Sequence, residues 1–233
     1  MINYIMEDFG NCTIACRHQD CFNFLTADER NRLEKNKISI NYRKGENIIK
    51  QGTSVNHILF LKSGLAKIYL EGSSKDLILK IVPPQHFIGL SSLRCKDDLY
   101  IYSSSVYIDS RVDLIDKEFF IKLIENNPKF ALSVISIINE ATAVSYRRVY
   151  SLTTKQMHGK VADLLICMSE NIFLDEQFNV PISRKDFSEL LGLSVESVVR
   201  VFKEFKDNGL VSIRGTQFKL LDIAGLKEIS NYG

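Results

Sequence analysis

The chain has 233 residues, of which 45% are hydrophobic and 25% charged, and its formal net charge is +2. This length suffices for one large or two modest domains, and the composition is that of an ordinary globular protein. The net charge does not indicate nucleic-acid binding, because residues 155–233 hold ten Lys or Arg against eleven Asp or Glu. The acidic N-terminal sequence shows no secretory signal, and no apolar run approaches 18 residues, so we expect a cytoplasmic protein without a membrane span.

Three of the five cysteines fall in residues 1–27, which we interpret as an N-terminal arm. Thiolates at this density can hold zinc or an iron–sulfur cluster, with His18 or a distant cysteine as the fourth ligand. The candidate ligands are Cys12, Cys16, Cys21 and Cys95. The alternative is that these are thiols without a metal, because the spacing is not Cys-x2-Cys. An odd cysteine count without a secretion signal favours reduced thiols or metal ligands over a disulfide framework, and Cys167 is expected in the core.

Residues 28–127 are predicted to form an antiparallel β-barrel or jelly-roll sensor domain. Thr26 and Glu29 can cap a short helix, TADERNRLEKN, before the pattern changes to short β-rich runs. Glycines separate these runs, and alternating apolar and polar residues are clear in LAKIYL. Many short strands with regular turn signals are typical of such a double sheet. The fold class is therefore α+β.

The barrel could also belong to a cupin-type enzyme, which would need clustered metal ligands. His57 and His86 stand alone in the sequence, and no nucleophile–base or paired-carboxylate arrangement can be singled out. No enzymatic activity is expected.

Residues 128–153 are predicted to form a long dimerisation helix. One apolar row has the 4, 3, 4, 3 spacing of a coiled-coil seam. Its members are Phe130, Val134, Ile137, Ala141 and Val144. A second row that includes Ile138, Thr142 and Val149 lies beside it, so one row can pack inside the subunit while the other meets a partner.

Residues 154–233 are predicted to form a winged helix-turn-helix domain. Ser183 caps a first helix with Asp186 three residues on, Gly192 occupies the turn, and Ser194 caps a second helix. The strands LVSI and QFKLLD flank Arg214-Gly215-Thr216 and form the hairpin, or wing.

The exposed side of the second helix carries residues able to read DNA bases. A carboxylate at Glu196 can accept from cytosine N4, and the guanidinium of Arg200 can bridge guanine O6 and N7. The two could instead form only an exposed helical ion pair. The predicted DNA contacts are Arg184, Lys185, Ser194, Glu196, Ser197, Val199, Arg200, Lys203 and Arg214. The alternative function is a ligand-binding regulatory module whose helix-turn-helix contacts protein.

The order of barrel, long helix and winged helix-turn-helix resembles the Crp/Fnr family of bacterial transcription regulators along almost the whole chain. The matching segments are KGENIIKQG, LFLKSG, HFIGL, HGKVADLL and ISRKDFSELLGLSVESVVRVFKEFKDNGLVSI. The resemblance implies a homodimer that binds a palindromic operator in double-stranded DNA and contacts RNA polymerase. A small-molecule or redox effector would act on the N-terminal half.

The resemblance also assigns individual residues. Glu196 and Arg200 match the family's base-reading Glu and Arg. Val195 stands where the cyclic-AMP branch has an arginine, and Val199 stands where the Fnr branch has a serine. The operator therefore need not be that of either branch.

The sensor region departs from the cyclic-AMP-binding members. Their Gly-Glu-Leu and Arg-Ser-Ala motifs correspond here to 89–91 (Gly-Leu-Ser) and 103–105 (Ser-Ser-Ser). A phosphate would lack its arginine, so cyclic AMP is not expected. The arm cysteines resemble those of Fnr-like oxygen sensors in location, although Asp113 takes the place of their distant cysteine. Cluster sensing and haem bound by His57 or His86 are both open hypotheses, and the effector is unknown.

Overall fold

The computed structural model describes residues 12–16, 20–73, 75–93 and 97–232. The chain divides into two compact units. The barrel unit contains residues 20–73 and 81–142, and the C-terminal unit contains residues 12–16, 75–80 and 143–232. The arm residues 12–16 thus group with the C-terminal unit. Among the described helices, none is long and apolar enough to cross a membrane.

Two four-stranded sheets, in the orders β1-β8-β3-β6 and β2-β7-β4-β5, form the predicted barrel. Residues 77–80 of β5 group with the C-terminal unit, and the other strands belong to the barrel unit. The strands are β1 Lys37–Tyr42, β2 Asn47–Ile49, β3 His57–Ser63, β4 Ala66–Leu70, β5 Leu77–Val82, β6 His86–Ile88, β7 Ser103–Val106 and β8 Ser110–Asp116. Strand β8 pairs antiparallel with β1 and β3, and β7 pairs antiparallel with β2 and β4. This arrangement confirms the predicted double sheet.

Two helices in the barrel unit begin at residues that cap them. Helix α1, Ala27–Lys35, starts with the predicted capping box: Thr26 accepts from the backbone of Glu29, whose carboxylate accepts from the backbone of Thr26 at 2.8 Å. Helix α2, Lys117–Asn126, starts where Asp116 accepts from a backbone N–H in its first turn. Both caps satisfy backbone donors that an isolated helix end leaves without partners.

Aromatic side chains form much of the core of this unit. The ring centroids of Phe60 and Phe87 are 4.9 Å apart, and those of Phe87 and Phe120 are 5.7 Å apart. Phe120 in turn lies 5.5 Å from Phe130, at the start of the long helix. Edge-on and tilted contacts of this kind add to the stabilisation from burial.

The long helix, α3, runs from Pro128 to Thr154, close to its predicted range. The structure corrects the assignment of its rows. Phe130 and Val144 are fully buried within one subunit, Val134 is buried too, and Ile137 and Ala141 are partly buried. The predicted seam therefore packs inside the subunit over much of its length. Another row, with spacing 3, 4, 3, 4, 3, is exposed instead: Leu132, Ile135, Asn139, Thr142, Tyr146 and Val149.

The C-terminal unit contains four further helices and a three-stranded sheet of order β10-β11-β9. The helices are α4 Met157–Cys167, α5 Arg184–Leu191, α6 Val195–Asp207 and α7 Ile223–Tyr232, and the strands are β9 Gln177–Asn179, β10 Val211–Arg214 and β11 Gln217–Leu220. After α4 the chain continues as a π-helix, Met168–Phe173, that stops at Leu174 with a left-handed φ of 56°. Strand β9 and helix α7 were not predicted.

A buried polar cluster joins α3, α4 and α7. Lys155 Nζ lies 2.7 Å from Asp163 Oδ1 and donates to the carbonyl of Ser230 at 2.6 Å. Ser151 and Ser230 donate their hydroxyls to the same carboxylate. Because each charge has several partners, the cluster can be buried without leaving an unsatisfied ion.

Candidate nucleic-acid interface

Helices α5 and α6 form the predicted helix-turn-helix. Ser183 and Asp186 make the expected capping box at the start of α5, and Gly192 ends it in the left-handed region with φ 64°. Ser194 then accepts from the Ser197 backbone at 3.1 Å and caps α6. Side chains on one side of α6 are buried: Val198, Val201, Phe202 and Phe205. The opposite side is left facing solvent.

The exposed face of α6 carries most of the predicted base-reading residues. Ser194, Glu196, Val199, Arg200 and Lys203 are exposed, and Ser197 is partly exposed. No ion pair joins Glu196 to Arg200 in the described part of the chain, where Arg200 Nη2 instead lies 3.5 Å from Met157 Sδ. The Glu196 carboxylate and the Arg200 guanidinium therefore do not neutralise each other, and each can interact with a separate partner.

The carboxyl of Glu196 sits in the first turn of α6. A hydrogen bond from its own backbone N–H, and another from the Ser194 hydroxyl, hold its pKa below the ordinary value. Both bonds favour the charged form. Glu196 is thus a carboxylate at neutral pH, as an acceptor for a cytosine amino group must be.

Arg184 has a contact that sequence reasoning missed. Its guanidinium carbon lies 4.8 Å from the ring centroid of Phe202 and 5.4 Å from that of Phe218, and burial lowers its pKa. These cation–π contacts hold α5 against the aromatic core. Lys185, the next predicted contact, is exposed, with Nζ 3.6 Å from Glu189.

The predicted wing is present as the β10–β11 hairpin. Arg214 pairs with Gln217 in an antiparallel register, and Gly215 takes a φ of 61° at the exposed tip. Phe218 is buried and stacks on Phe178 of β9, with a centroid separation of 6.2 Å. The third strand therefore supports the wing from its inner side.

Two cations outside the helix-turn-helix hold its backbone. Lys75 Nζ donates to the carbonyl of Leu193 at 3.1 Å, and Arg148 Nη2 donates to the carbonyls of Leu190 and, at 2.8 Å, Ile78. Burial lowers the pKa of Arg148 to about 10. Sequence gave no signal of these contacts, because Lys75 precedes Leu193 by 118 positions.

The cysteines do not assemble as predicted. Cys12 is disulfide-bonded to Cys167, and burial, chiefly, raises the pKa of the Cys21 thiol to about 12. No group of three metal-ligating side chains occurs among the described residues, and Cys95 and His18 lie outside them. Cys12 is bonded to Cys167, so its sulfur is not available as a metal ligand in this structure. The rest of the predicted ligand set remains a prediction. The expectation of reduced thiols is also corrected at Cys12 and Cys167.

The barrel serines that replace the Arg-Ser-Ala motif are buried and used within the sheet. Ser103 donates to Glu71 at 2.6 Å, and Ser104 donates to the carbonyl of Lys67 at 2.8 Å. Asp113 is likewise engaged, in a 3.0 Å ion pair with Lys37. These side chains therefore have partners within the barrel.

Two family models match the chain. Residues 39–127 match the cyclic nucleotide-binding domain, and residues 159–229 match the Crp-like helix-turn-helix domain. The chain belongs to the Crp/Fnr family of transcription regulators. Its relatives are named as transcription regulators, so the alternative of a helix-turn-helix used only for protein contacts is not favoured.

Similar proteins include the transcriptional activator FnrA of Stutzerimonas stutzeri, 26% identical over 79% of this chain and 77% of its own length. The transcriptional activator anr of Pseudomonas aeruginosa is also 26% identical, over 77% of this chain and 75% of its own. Among solved structures, FixK2 from Bradyrhizobium japonicum has a TM-score of 0.76 at 19% identity, covering 83% of this chain and 96% of its own. That structure supports the fold.

Proposed function

We propose that this regulator binds a palindromic DNA site as a homodimer, with α6 of each subunit in a major groove. The observation that carries the proposal is the exposed face of α6, where Glu196 and Arg200 stand one helical turn apart without pairing to each other. Two-fold symmetry would separate the half-sites by about 34–36 Å, one turn of B-DNA.

The base contacts follow from the chemistry of this face. The Glu196 carboxylate accepts from a cytosine amino group, and Arg200 bridges O6 and N7 of a guanine. Val195 and Val199 are exposed on the same face, and Val199 is 49% accessible. Apolar side chains there suit thymine methyl groups. We therefore expect an operator with thymines next to the base pairs that Glu196 and Arg200 contact.

Other exposed groups suit the phosphate backbone. Lys185 lies at the start of α5, Lys203 lies on α6, and Arg214 lies on the wing. Ser194 and Ser197 add hydroxyls at the α6 N terminus, where the helix dipole favours an anion. Such contacts position the protein and carry no sequence information. Arg184 is bound to the aromatic core, so we expect it to orient α5 more than to bind phosphate.

The dimer would form through the exposed row of α3 that begins with Leu132 and Ile135 and ends with Tyr146 and Val149. Large apolar side chains at seam spacing are typical of a parallel coiled coil. Since the buried row is occupied within the subunit, the exposed row is the face left for a partner. RNA polymerase is the further proposed partner, supported by relatives named as transcriptional activators, and the proposed location is the cytoplasm.

The base-reading claim is tested by Arg200→Ala on the palindrome selected from random DNA by the wild-type protein. We expect a loss of about 1–3 kcal/mol in binding free energy and relaxed selection at one base position of each half-site. Lys203→Ala, one helical turn away, is the matched comparison. It should weaken binding to all sequences and reduce the salt dependence by about one ion.

Titrations with the selected site and with random DNA separate the two roles. An equal loss on both DNAs for Arg200→Ala would show that Arg200 contacts only phosphate. If the wild-type protein enriches no sequence at all, the proposal of operator reading fails.

A further inference from the structure

The disulfide between Cys12 and Cys167 has no role in reading DNA, yet it lies in the C-terminal unit, which also contains the proposed DNA-reading helix α6. The two residues are 155 positions apart, and their Cα atoms are 4.7 Å apart, which is within the range of protein disulfides. Cys167 is the last residue of α4. The bond therefore attaches the N-terminal arm to a core helix of this unit.

The arm is docked by more than the disulfide. The side chains of Cys12, Thr13, Ile14 and Ala15 are all buried, Ile14 completely. Arg147 Nε of α3 donates to the carbonyl of Cys12 at 3.2 Å. Docking a short segment near the chain terminus costs backbone entropy. The covalent bond offsets that cost.

In the proposed cytoplasmic location, this bond would be reversible. A DNA-binding regulator, as proposed above, works where thiol reductants keep most cysteines reduced, and disulfides there are usually transient or redox-sensing. We propose that Cys12 and Cys167 form a redox-responsive tether that holds the arm on the C-terminal unit when oxidised and releases it when reduced, so that operator affinity follows the thiol redox state. This regulatory step rests on the proposed DNA-binding function.

A low-molecular-weight disulfide can act as the oxidant that forms the Cys12–Cys167 bond. Cys167 is 1% exposed, so the first attack belongs to Cys12 on the released arm. Its thiolate attacks oxidised glutathione, forms a mixed disulfide and expels one glutathione thiolate. The Cys167 thiolate then attacks the Cys12 sulfur and expels the second. A dithiol reverses both steps and becomes a cyclic disulfide.

Cys16 provides a matched control in the same arm. It carries no disulfide and is partly exposed, and its sulfur lies 3.9 Å from Lys80 Nζ. It is more exposed than Cys12, so a soluble oxidant reaches it more readily. If oxidation of any thiol in the arm changed operator affinity, replacing Cys16 would alter the redox response. If only the Cys12–Cys167 tether changes operator affinity, replacing Cys16 would leave the response intact.

The first experiment measures the bond and the arm in the full-length protein. Wild type, Cys12→Ser and Cys16→Ser are equilibrated with oxidised glutathione or with dithiothreitol, then quenched, alkylated and mapped by mass spectrometry. When the quenched protein is alkylated under denaturing conditions, we expect only Cys12 and Cys167 of oxidised wild type to be protected. Hydrogen exchange in the arm peptide should be at least tenfold faster after reduction.

Cys12→Ser should exchange fast under both conditions, and Cys16→Ser should follow the wild type. The tether is overturned if the arm exchanges equally in both redox states, if Cys12 stops at a mixed disulfide with glutathione, or if Cys16→Ser abolishes the response.

The second experiment measures affinity for the selected palindrome. Oxidised and reduced wild type should differ at least fivefold, Cys12→Ser should not respond, and Cys16→Ser should respond fully. Equal affinities of the two wild-type forms overturn the regulatory role. Protein that binds no selected DNA in either state would count against the proposed function instead, and the exchange measurement would still decide whether the tether exists.

Discussion

The two apolar rows of α3 have nearly the same sequence character and opposite positions in the structure. Phe130 and Val144 are 0% exposed, whereas Leu132 and Tyr146, only two residues further along the helix, are 67% and 72% exposed. Both rows repeat with the 3, 4 spacing of a seam. The periodicity therefore indicates that the helix has two contact faces without indicating which face meets the rest of the subunit.

The buried row also changes chemistry along its length. Near the N terminus of α3 it packs ring on ring, as Phe130 does with Phe120. Further along, the same row continues with Arg148, Ser151 and Lys155, which make hydrogen bonds to backbone carbonyls and to Asp163. A partner helix with the same sequence would place Arg148 against Arg148, which is unfavourable. This continuation is the sequence feature that could have identified the row as internal.

The largest expected difference between the two faces is in folding stability. Phe130→Ala should lower the free energy of unfolding by about 3–5 kcal/mol, because it removes a fully buried ring and leaves a cavity. Urea unfolding followed by circular dichroism measures the change. Lys129→Ala, exposed in the same helical turn, should stay within about 0.5 kcal/mol of wild type. If Phe130→Ala leaves the free energy of unfolding unchanged and only dissociates the dimer, Phe130 would belong to the dimer seam, as the sequence predicted.

The exposed face should instead control assembly. Ile135→Glu combined with Tyr146→Glu places like charges opposite each other in the proposed dimer, which costs several kcal/mol. We expect the dimer dissociation constant to rise by about a hundredfold or more. Sedimentation should report a monomer whose circular dichroism spectrum matches wild type, and binding to the palindrome should fall to that of a single half-site.

Lys122→Glu on α2 adds an acidic group at an exposed position away from this row, so it should leave both dimer and DNA binding unchanged. If the double variant remains dimeric, the partner contact lies on another surface.

Local signals in the sequence predicted much of the fold. The capping boxes at Thr26 and Ser183 and the left-handed Gly192 were all identified from residues within a few positions of each other. Such signals act within one turn of chain, so they survive any tertiary context. The exposed charges of α6 could be placed for the same reason, because helical spacing alone separates its apolar and polar sides.

Contacts between distant residues could not be predicted. The bond from Cys12 to Cys167 and the hydrogen bonds from Lys75 to the turn before α6 join residues more than 100 positions apart. Strand β9 was not predicted because its three residues are too few to show alternation, and it forms by pairing with β11. Tertiary context decides such short elements.

A smaller effect is expected at Arg148, where the buried row turns polar. Its pKa of about 10 lies below the usual value because burial disfavours the cation. Since the folded pKa is depressed, this penalty is complete below pH 10 and is present at pH 7. Arg148→Met removes that penalty and fills the volume, but it leaves the carbonyls of Ile78 and Leu190 without their donor.

The free energy lost with the two hydrogen bonds should slightly exceed the free energy gained by no longer burying a charged guanidinium. We expect a net loss of about 1–2 kcal/mol in the free energy of unfolding, with dimerisation unchanged. The same urea titration measures the stability. A loss as large as that of Phe130→Ala would mean that Arg148 is held by further partners, and a gain would mean that both carbonyls find other donors.

The smallest effect concerns Asn139, the polar residue in the middle of the exposed row. A polar residue at one seam position fixes the alignment of two helices at a cost in stability. Asn139→Leu should therefore tighten the dimer by about tenfold, or about 1.4 kcal/mol, as sedimentation at decreasing concentration would measure. Because the alignment of the two α6 helices depends on that register, the same variant should bind the palindrome no better than wild type despite its tighter dimer. A Leu variant with an unchanged dimer would place Asn139 outside the contact, and would shorten the proposed interface to the two ends of the row.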